Sequence, residues 1–421
     1  MRHLLKKIFI NKNLGLLITS RFISILGDTI FYPAIFWIAA SNSSKGINWV
    51  GVISFIIVLP PLLSFLSGAI IDHLSKKFVL IVSDSVRTAL CFILLLSPLN
   101  NLLIILVIFI FFIELCGQFF SVASAALIPQ IVNKDEYVAA NSHLQFTSTV
   151  VSLIGYALGG VLMAGFGIYV VILINCLSFL ISALLLVFMK IPNTNRESVK
   201  NNQPSEKNKV NIIKELAEGM KQLTGNRGLS VITVTSFIIN TAFASIEVLI
   251  TVWAHNTGKI GAAGYGFLLT SIMVGSLLGA LVTRIPYFNS KAKEYIIAGA
   301  VCLEGIFLGL FPFTFSLIGS MSSLFLMGLF QMLGNVYFST YLMEQVNDKN
   351  LGKVLGLINT LMRGGQPMGI AIITFLLGLI RVSWLVLIVG MITLLCGVSI
   401  VAFFRFKRIP YYIGRESSAS K

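Results

Sequence analysis

The sequence predicts an all-α membrane protein, with twelve transmembrane helices in two pseudo-symmetric six-helix bundles. Three observations carry this reading. Of 421 residues, 56% are hydrophobic and only 11% are charged, where a soluble domain carries about 25% charged residues. Apolar runs of about 20 residues, the length that crosses a bilayer, recur along the whole chain. A single long polar segment, 190–228, divides them into two sets of six.

The spans are expected at 14–40, 47–72, 78–97, 101–127, 142–164, 167–189, 229–254, 264–286, 295–316, 318–343, 353–379 and 382–405, and are numbered 1 to 12 below. Gly, Asn, Pro and Ser punctuate the gaps, as in Ser97-Pro98-Leu99-Asn100. The expected organisation is a 1–13 N-terminus, a 14–190 bundle, a 191–228 linker, a 229–405 bundle and a 406–421 tail. Within the linker, Val210 to Leu223 alternates like an amphipathic surface helix. The first run begins at Leu14 and reads as a retained span rather than a cleaved leader.

A net charge of +15 in a soluble chain would suggest nucleic acid as a partner. Here the charge lies between apolar runs, so no nucleic-acid partner is expected. With both termini inside, inner segments hold 25 of the 31 Lys and Arg, while the outer loops hold only Lys45, Lys259 and Arg381. Basic residues favour the cytoplasmic side, so both termini and the linker are expected in the cytoplasm of a bacterial cell whose plasma membrane holds the chain.

Several chemistries have no sequence support. The five cysteines lie inside apolar runs without a CxxC pair, and the four histidines are scattered, so neither a disulfide framework nor a metal site is expected. No Walker A, G-x-S-x-G or H-E-x-x-H pattern occurs, so no enzymatic activity is expected.

The halves resemble one another. Thr19-Ser20 and Trp37 match Thr235-Ser236 and Trp253 at one offset. Val132-Asn133-Lys134-Asp135 matches Val346-Asn347-Asp348-Lys349, and that offset places Gly155 on Gly369. A duplicated six-helix unit is a transporter architecture, with its site between the repeats.

Local motifs then resemble the major facilitator superfamily. Gly68-Ala69-Ile70-Ile71-Asp72-His73-Leu74-Ser75-Lys76-Lys77 is similar to its G-x-x-x-D-R-x-G-R-R loop motif, with His73 and Ser75 as departures. Ala126-Leu127-Ile128-Pro129-Gln130-Ile131-Val132, with Glu136, Ala140 and Asn141, resembles the macrolide-efflux and enterobactin-exporter branch. Gly155-Tyr156-Ala157-Leu158-Gly159-Gly160 resembles the antiporter motif G-P-x-x-G-G, with Tyr156 for Pro, and Gly279 through Arg284 resembles a decayed copy of the loop motif. The resemblance implies a major facilitator fold whose spans 1, 4, 7 and 10 line a cavity. It implies an alternating-access exporter of small lipophilic or amphiphilic compounds, driven by a proton gradient without a cofactor, monomeric, with the lipid bilayer and a small-molecule substrate as its partners. Export of a siderophore, peptide or lysolipid, and a non-transporting immunity or sensor role, stay open.

Ionisable groups inside spans are costly and mark function by default. Asp28 is expected to bind a proton or cationic substrate; its alternative is a static pair with Arg21. Glu114 lies one turn from Gln118 and is a coupling group or a bridge to Arg87. Glu247 has Asn240 two turns away on one face. Glu304 is the fourth acid considered for coupling, with burial against a neighbouring helix as the other reading. Phe31, Tyr32, Gln118, Asn240, Gln331 and Asn335 are expected around the substrate, with interhelical contact as the alternative for the amides. Gly68, Asp72, Asp84, Arg87 and Arg363 are read as an inner gate, and Gly155, Gly159, Gly160 and Gly279 as helix-packing positions.

Overall fold

The computed structural model describes residues 12–41, 46–62, 67, 70–71, 74–97, 102–132, 137–190, 220–221, 224–283, 292–314, 316–346 and 348–416. Within them the chain is helical, without a strand. Span 1 is Lys12–Ser41, span 2 begins as Gly46–Leu62, and spans 3 to 6 are Lys76–Leu95, Leu102–Ile131, Tyr137–Phe166 and Ile168–Val187. Span 7 is Arg227–Phe243 followed by Ile246–Asn256; spans 8 to 12 are Gly261–Val282, Lys293–Leu310, Leu317–Gln345, Asp348–Leu377 and Val382–Glu416. Ten helices among the described residues are long and apolar enough to cross a membrane. The other two are span 2, whose described helix has 17 residues, and span 11, whose 30 residues include Asp348, Lys349, Lys353 and Arg363.

Side chains and backbone turns set several of these boundaries. The Ser75 hydroxyl accepts from the Phe78 amide, Asn226 caps Gly228 and Leu229, and Ser316 caps Gly319, each satisfying an amide that the first turn leaves open. Gly167 at φ 76° turns the chain directly from span 5 into span 6, a backbone region that favours glycine. Two boundaries depart from expectation. Span 12 stays helical to Glu416 rather than ending at 405, because a helix satisfies its own backbone and does not need to stop at the edge of the apolar layer. Span 7 is broken at Ala244–Ser245. There Asn240 bonds to the Ser236 carbonyl, Thr241 to Phe237 and Ser245 to Ala242, and such side-chain bonds compete with the helical ladder. The amphipathic segment expected at 210–223 lies almost wholly outside the described residues.

The chain forms two compact units. Unit 1 is Met1–Asn208 with Ala254–Thr270, and unit 2 is Lys209–Trp253 with Ser271–Lys421. The stretch joining spans 7 and 8 therefore packs with unit 1, where Trp37 meets His255 edge-on at 5.3 Å and stacks on Tyr265 at 6.1 Å.

In unit 1, span 1 packs against spans 5, 6 and 2, and span 3 against spans 4 and 6. Small residues permit the close approaches. A Cβ at Gly27 would strike Ser178 and Asn175 of span 6; at Gly155, Thr29; at Gly159, the Ile30 backbone; at Gly160, the backbone of Ala262 and Gly266. The end of span 6 is tied down: Lys77 Nζ donates to the carbonyls of Val187 (2.8 Å) and Met189 (2.6 Å). Asn13 exchanges bonds of 2.6 and 3.0 Å with the Lys190 backbone. A cation suits the negative end of a helix.

In unit 2, span 9 packs on spans 10 and 12, and span 7 on spans 11 and 12. Gly279 lies against the Leu329 backbone, Gly305 against Gly390, and Gly369 against the Thr241 carbonyl. Thus Gly155 packs on span 1 through the Thr29 side chain and Gly369 on span 7 through the Thr241 carbonyl, so each repeat has a close glycine contact between its first and fifth helices. Lys293 pairs with Glu344, and Asn226 donates to Gln345 at 3.0 Å. Exposed apolar stripes such as Ile104, Ile108 and Phe112 on span 4, and Trp384, Ile388, Met391 and Leu395 on span 12, suit hydrocarbon rather than water.

Candidate functional site

The chemistry of unit 1 gathers around Arg87. A four-residue spacing puts Ser24, Asp28 and Tyr32 on one face of span 1. Span 3 presents Asp84 and Arg87, span 4 Glu114 and Gly117, and span 6 Asn175, Phe179 and Ser182. Arg87 reaches Asp28 Oδ2 through Nη2 and Asp84 Oδ1 through Nη1, each at 3.4 Å. Nη1 also donates to Ser24 Oγ at 3.2 Å, and Nε to the Ile113 carbonyl at 3.1 Å. The guanidinium lies 4.4 Å from the Phe179 ring centroid, a cation–π arrangement. Ser182 Oγ donates to Asp84 Oδ2 at 2.5 Å, Asn175 lies beside Asp28, and Tyr32 Oη donates to Glu114 Oε1 at 2.6 Å.

Asp84 and Arg87 are 0% and 4% exposed. One guanidinium thus serves two carboxyls directly and lies near a third, Glu114. Carboxyls outnumber the cation, and a buried charge without a partner is costly. An added proton, or the positive group of a ligand, balances such a cluster.

Several expected groupings differ in the structure. Arg21 donates to Ser124 Oγ at 3.3 Å, and Asp28 pairs with Arg87 rather than with Arg21. Asp84 and Arg87, placed by sequence with an inner gate, lie midway along Lys76–Leu95 and buried, with Asp28 of span 1 and Ser182 of span 6 as their partners. Glu114 takes its hydrogen bond from Tyr32, while Arg87 binds the backbone of the preceding residue. Asn240 bonds back to its own helix at 3.0 Å, and the break at Ala244–Ser245 separates it from Glu247, which sits half-buried in the first turn of Ile246–Asn256. Gln331 lies beside Glu304 of span 9, and Asn335 is exposed. Phe31 is 2% exposed within the packed interior, while Tyr32 and Gln118 are half-buried. Arg363 is exposed on span 11. Gly68 and Asp72 lie outside the described residues.

Ser24, Gly117, Asn175, Phe179 and Ser182 escaped the sequence reading. A signal existed: Asn175, Ser178 and Ser182 form a polar stripe at helical spacing on an otherwise apolar span 6. Gly117 matters because its missing side chain makes room for the guanidinium; a Cβ there would strike Arg87 Nη2. Gly117→Ala is therefore expected to cost about 1–3 kcal/mol through overpacking, measured as a fall in thermal midpoint. Gly364→Ala, with nothing within 4 Å, should leave the midpoint near wild type.

Apolar spans in two units, with ion pairs buried midway along the helices of one, are the build of a polytopic membrane transporter. The chain belongs to the Major Facilitator Superfamily, whose sequence pattern matches residues 17–370. It is 22% identical over 405 residues to the uncharacterized MFS-type transporter YvqJ of Bacillus subtilis, covering 93% of this chain and 92% of that one. It is 21% identical over 308 residues to macrolide efflux protein A of Enterococcus faecalis, covering 72% and 93%. Its fold matches the crystal structure of the nucleoside transporter NupG with a TM-score of 0.70 at 13% identity, over 92% of this chain and 99% of that one.

Proposed function

We propose that this transporter is a proton-coupled exporter of small lipophilic or amphiphilic compounds of the macrolide type, working by alternating access as a monomer. In this reading it lies in a bacterial plasma membrane with both termini in the cytoplasm, an orientation supported by the charge asymmetry of its loops. The carrying observation is the surplus of carboxyls around the buried Arg87, with Asp84 buried and Asp28 and Glu114 half-buried midway along spans 3, 1 and 4.

In the proposed cycle, Asp28 is the proton carrier. When Asp28 is ionised, Arg87 ties span 1 to span 3. When Asp28 takes a proton, the tie weakens and Arg87 keeps Asp84, which Ser182 holds. A contact made in one protonation state and not in the other gives the proton a differential affinity for two conformations, which drives a population shift. Glu114, with its Tyr32 hydrogen bond, supplies a second exchangeable site near the first, and Glu247 is the acid of span 7 available to a cationic substrate. Relatives named as macrolide efflux proteins support the direction and the substrate class.

The test uses proteoliposomes with an imposed proton gradient and a panel of macrolides and lipophilic cations. Wild type should move at least one of them with the gradient. Asp28→Asn, inserted at equal density, should fall to the level of empty liposomes. Gradient-driven movement by Asp28→Asn at the wild-type rate would overturn the coupling role.

A further inference from the structure

Unit 2 buries an acid in surroundings unlike those of Asp28. Glu304 is 4% exposed on span 9. Gln331 of span 10 lies beside its carboxyl, and Oε1 is buried with no hydrogen-bond partner among the described residues. Spans 10 and 12 pack against this helix. Their titratable groups are Tyr337, Tyr341 and Glu344 on span 10 and, from Val382 to Phe404, Cys396 on span 12; span 9 itself adds Lys293, Glu294, Tyr295 and Cys302. Lys293 is eleven residues from Glu304, about 16 Å along the helix at 1.5 Å per residue, and is engaged with Glu344. Span 12 adds Arg405, which is exposed eleven residues beyond Leu394, the span 12 contact of neighbouring Gly305; among the described side chains no cation therefore faces the Glu304 carboxyl.

The space admits little. A Cβ on neighbouring Gly305 would come within 2.6 Å of the Gly390 carbonyl, and Phe307 and Phe330, on the same two helices, stack at 5.8 Å. A hard metal cation takes six or more oxygens or holds its own water, whereas this site offers one carboxyl and one amide.

We propose that Glu304, oriented by Gln331, is a second proton-binding site of this transporter, in unit 2 and independent of the Arg87 cluster. The proton sits on Oε1, neutralising a carboxyl that no basic side chain balances among the described residues, with the Gln331 amide beside it. The unit 1 site exchanges its proton against a guanidinium. The unit 2 site exchanges only with water, when movement of spans 9 and 10 admits it. The proposal deepens the proton-coupled reading by giving the cycle a second proton carrier, and it rests on that reading for its role but not for its existence.

Infrared difference spectroscopy of the full-length protein in liposomes, recorded across a pH step in H₂O and in D₂O, tests it without substrate or gradient. Wild type should show deuterium-sensitive bands of protonated carboxyls. Glu304→Gln should lose one of them, Asp28→Asn should retain that same band, and Glu304→Asp should shift its frequency. A Glu304→Gln spectrum identical to wild type would overturn the site. If Glu304→Gln does not fold, Glu304→Asp decides, and an unshifted band overturns the site equally. Failure of the transport assay leaves this readout intact, so the two proposals fail separately.

Discussion

Arg87→Met should be the most damaging single substitution in unit 1. It removes the one cation that Asp28 and Asp84 share, together with its bonds to Ser24 and the Ile113 carbonyl. Breaking a buried pair from one side typically costs about 3–5 kcal/mol, because the partner is left charged and unpaired. The expected readout is a large fall in thermal midpoint with a reduced yield of folded protein. Arg87→Met combined with Asp28→Asn and Asp84→Asn should recover much of the loss, since the stranded carboxylates are then gone, and replacing a whole buried ion cluster by neutral groups is often near neutral. A triple variant no more stable than Arg87→Met would show that Arg87 acts through packing on Phe179 and the span 4 backbone instead.

The second large effect is expected at Gly369. A Cβ there meets the Thr241 carbonyl, and backbone cannot rotate away as a side chain can. Overpacking of this kind costs about 1–3 kcal/mol, and more where rigid elements must separate, so Gly369→Leu should drive spans 7 and 11 apart and destabilise unit 2. Gly155→Leu, its counterpart in unit 1, meets the Thr29 side chain first and should be milder. Comparing the two thermal midpoints tests the order, and equal values would contradict it.

The membrane class and the packing glycines were legible because each depends on composition or local spacing. Gly155 and Gly369, paired by the repeat offset, both lie at close contacts between the first and fifth helices of their bundles. The break in span 7 was hidden, because residues 238–246 contain no Gly or Pro, and the interruption comes from Asn, Thr and Ser turning their side chains onto nearby carbonyls. The Arg87 cluster was half visible. Its acids stood out as charges inside apolar runs, but which acid meets which base depends on how four helices are rotated about their axes, and sequence spacing within one helix says nothing of that. Hence spacing points Arg87 to a gate with Asp84 or a bridge to Glu114 and offers Arg21 as the alternative partner of Asp28, while the serine and aromatic ring that span 6 supplies are not indicated. Glu304 shows the same limit: its depth was readable, but its amide partner on span 10 was not.

The ties at the end of span 6 have a mechanical meaning. Lys77 and Asn13 fasten the stretch from Val187 to Lys190 to the beginnings of spans 3 and 1, and those are the helices that carry Arg87 and Asp28. A load applied at Lys190 would therefore meet the first turns of the two helices that carry the ion pair before it met the pair itself. Four hydrogen bonds thus join the last described residues of this bundle to the two helices that hold the proposed proton switch.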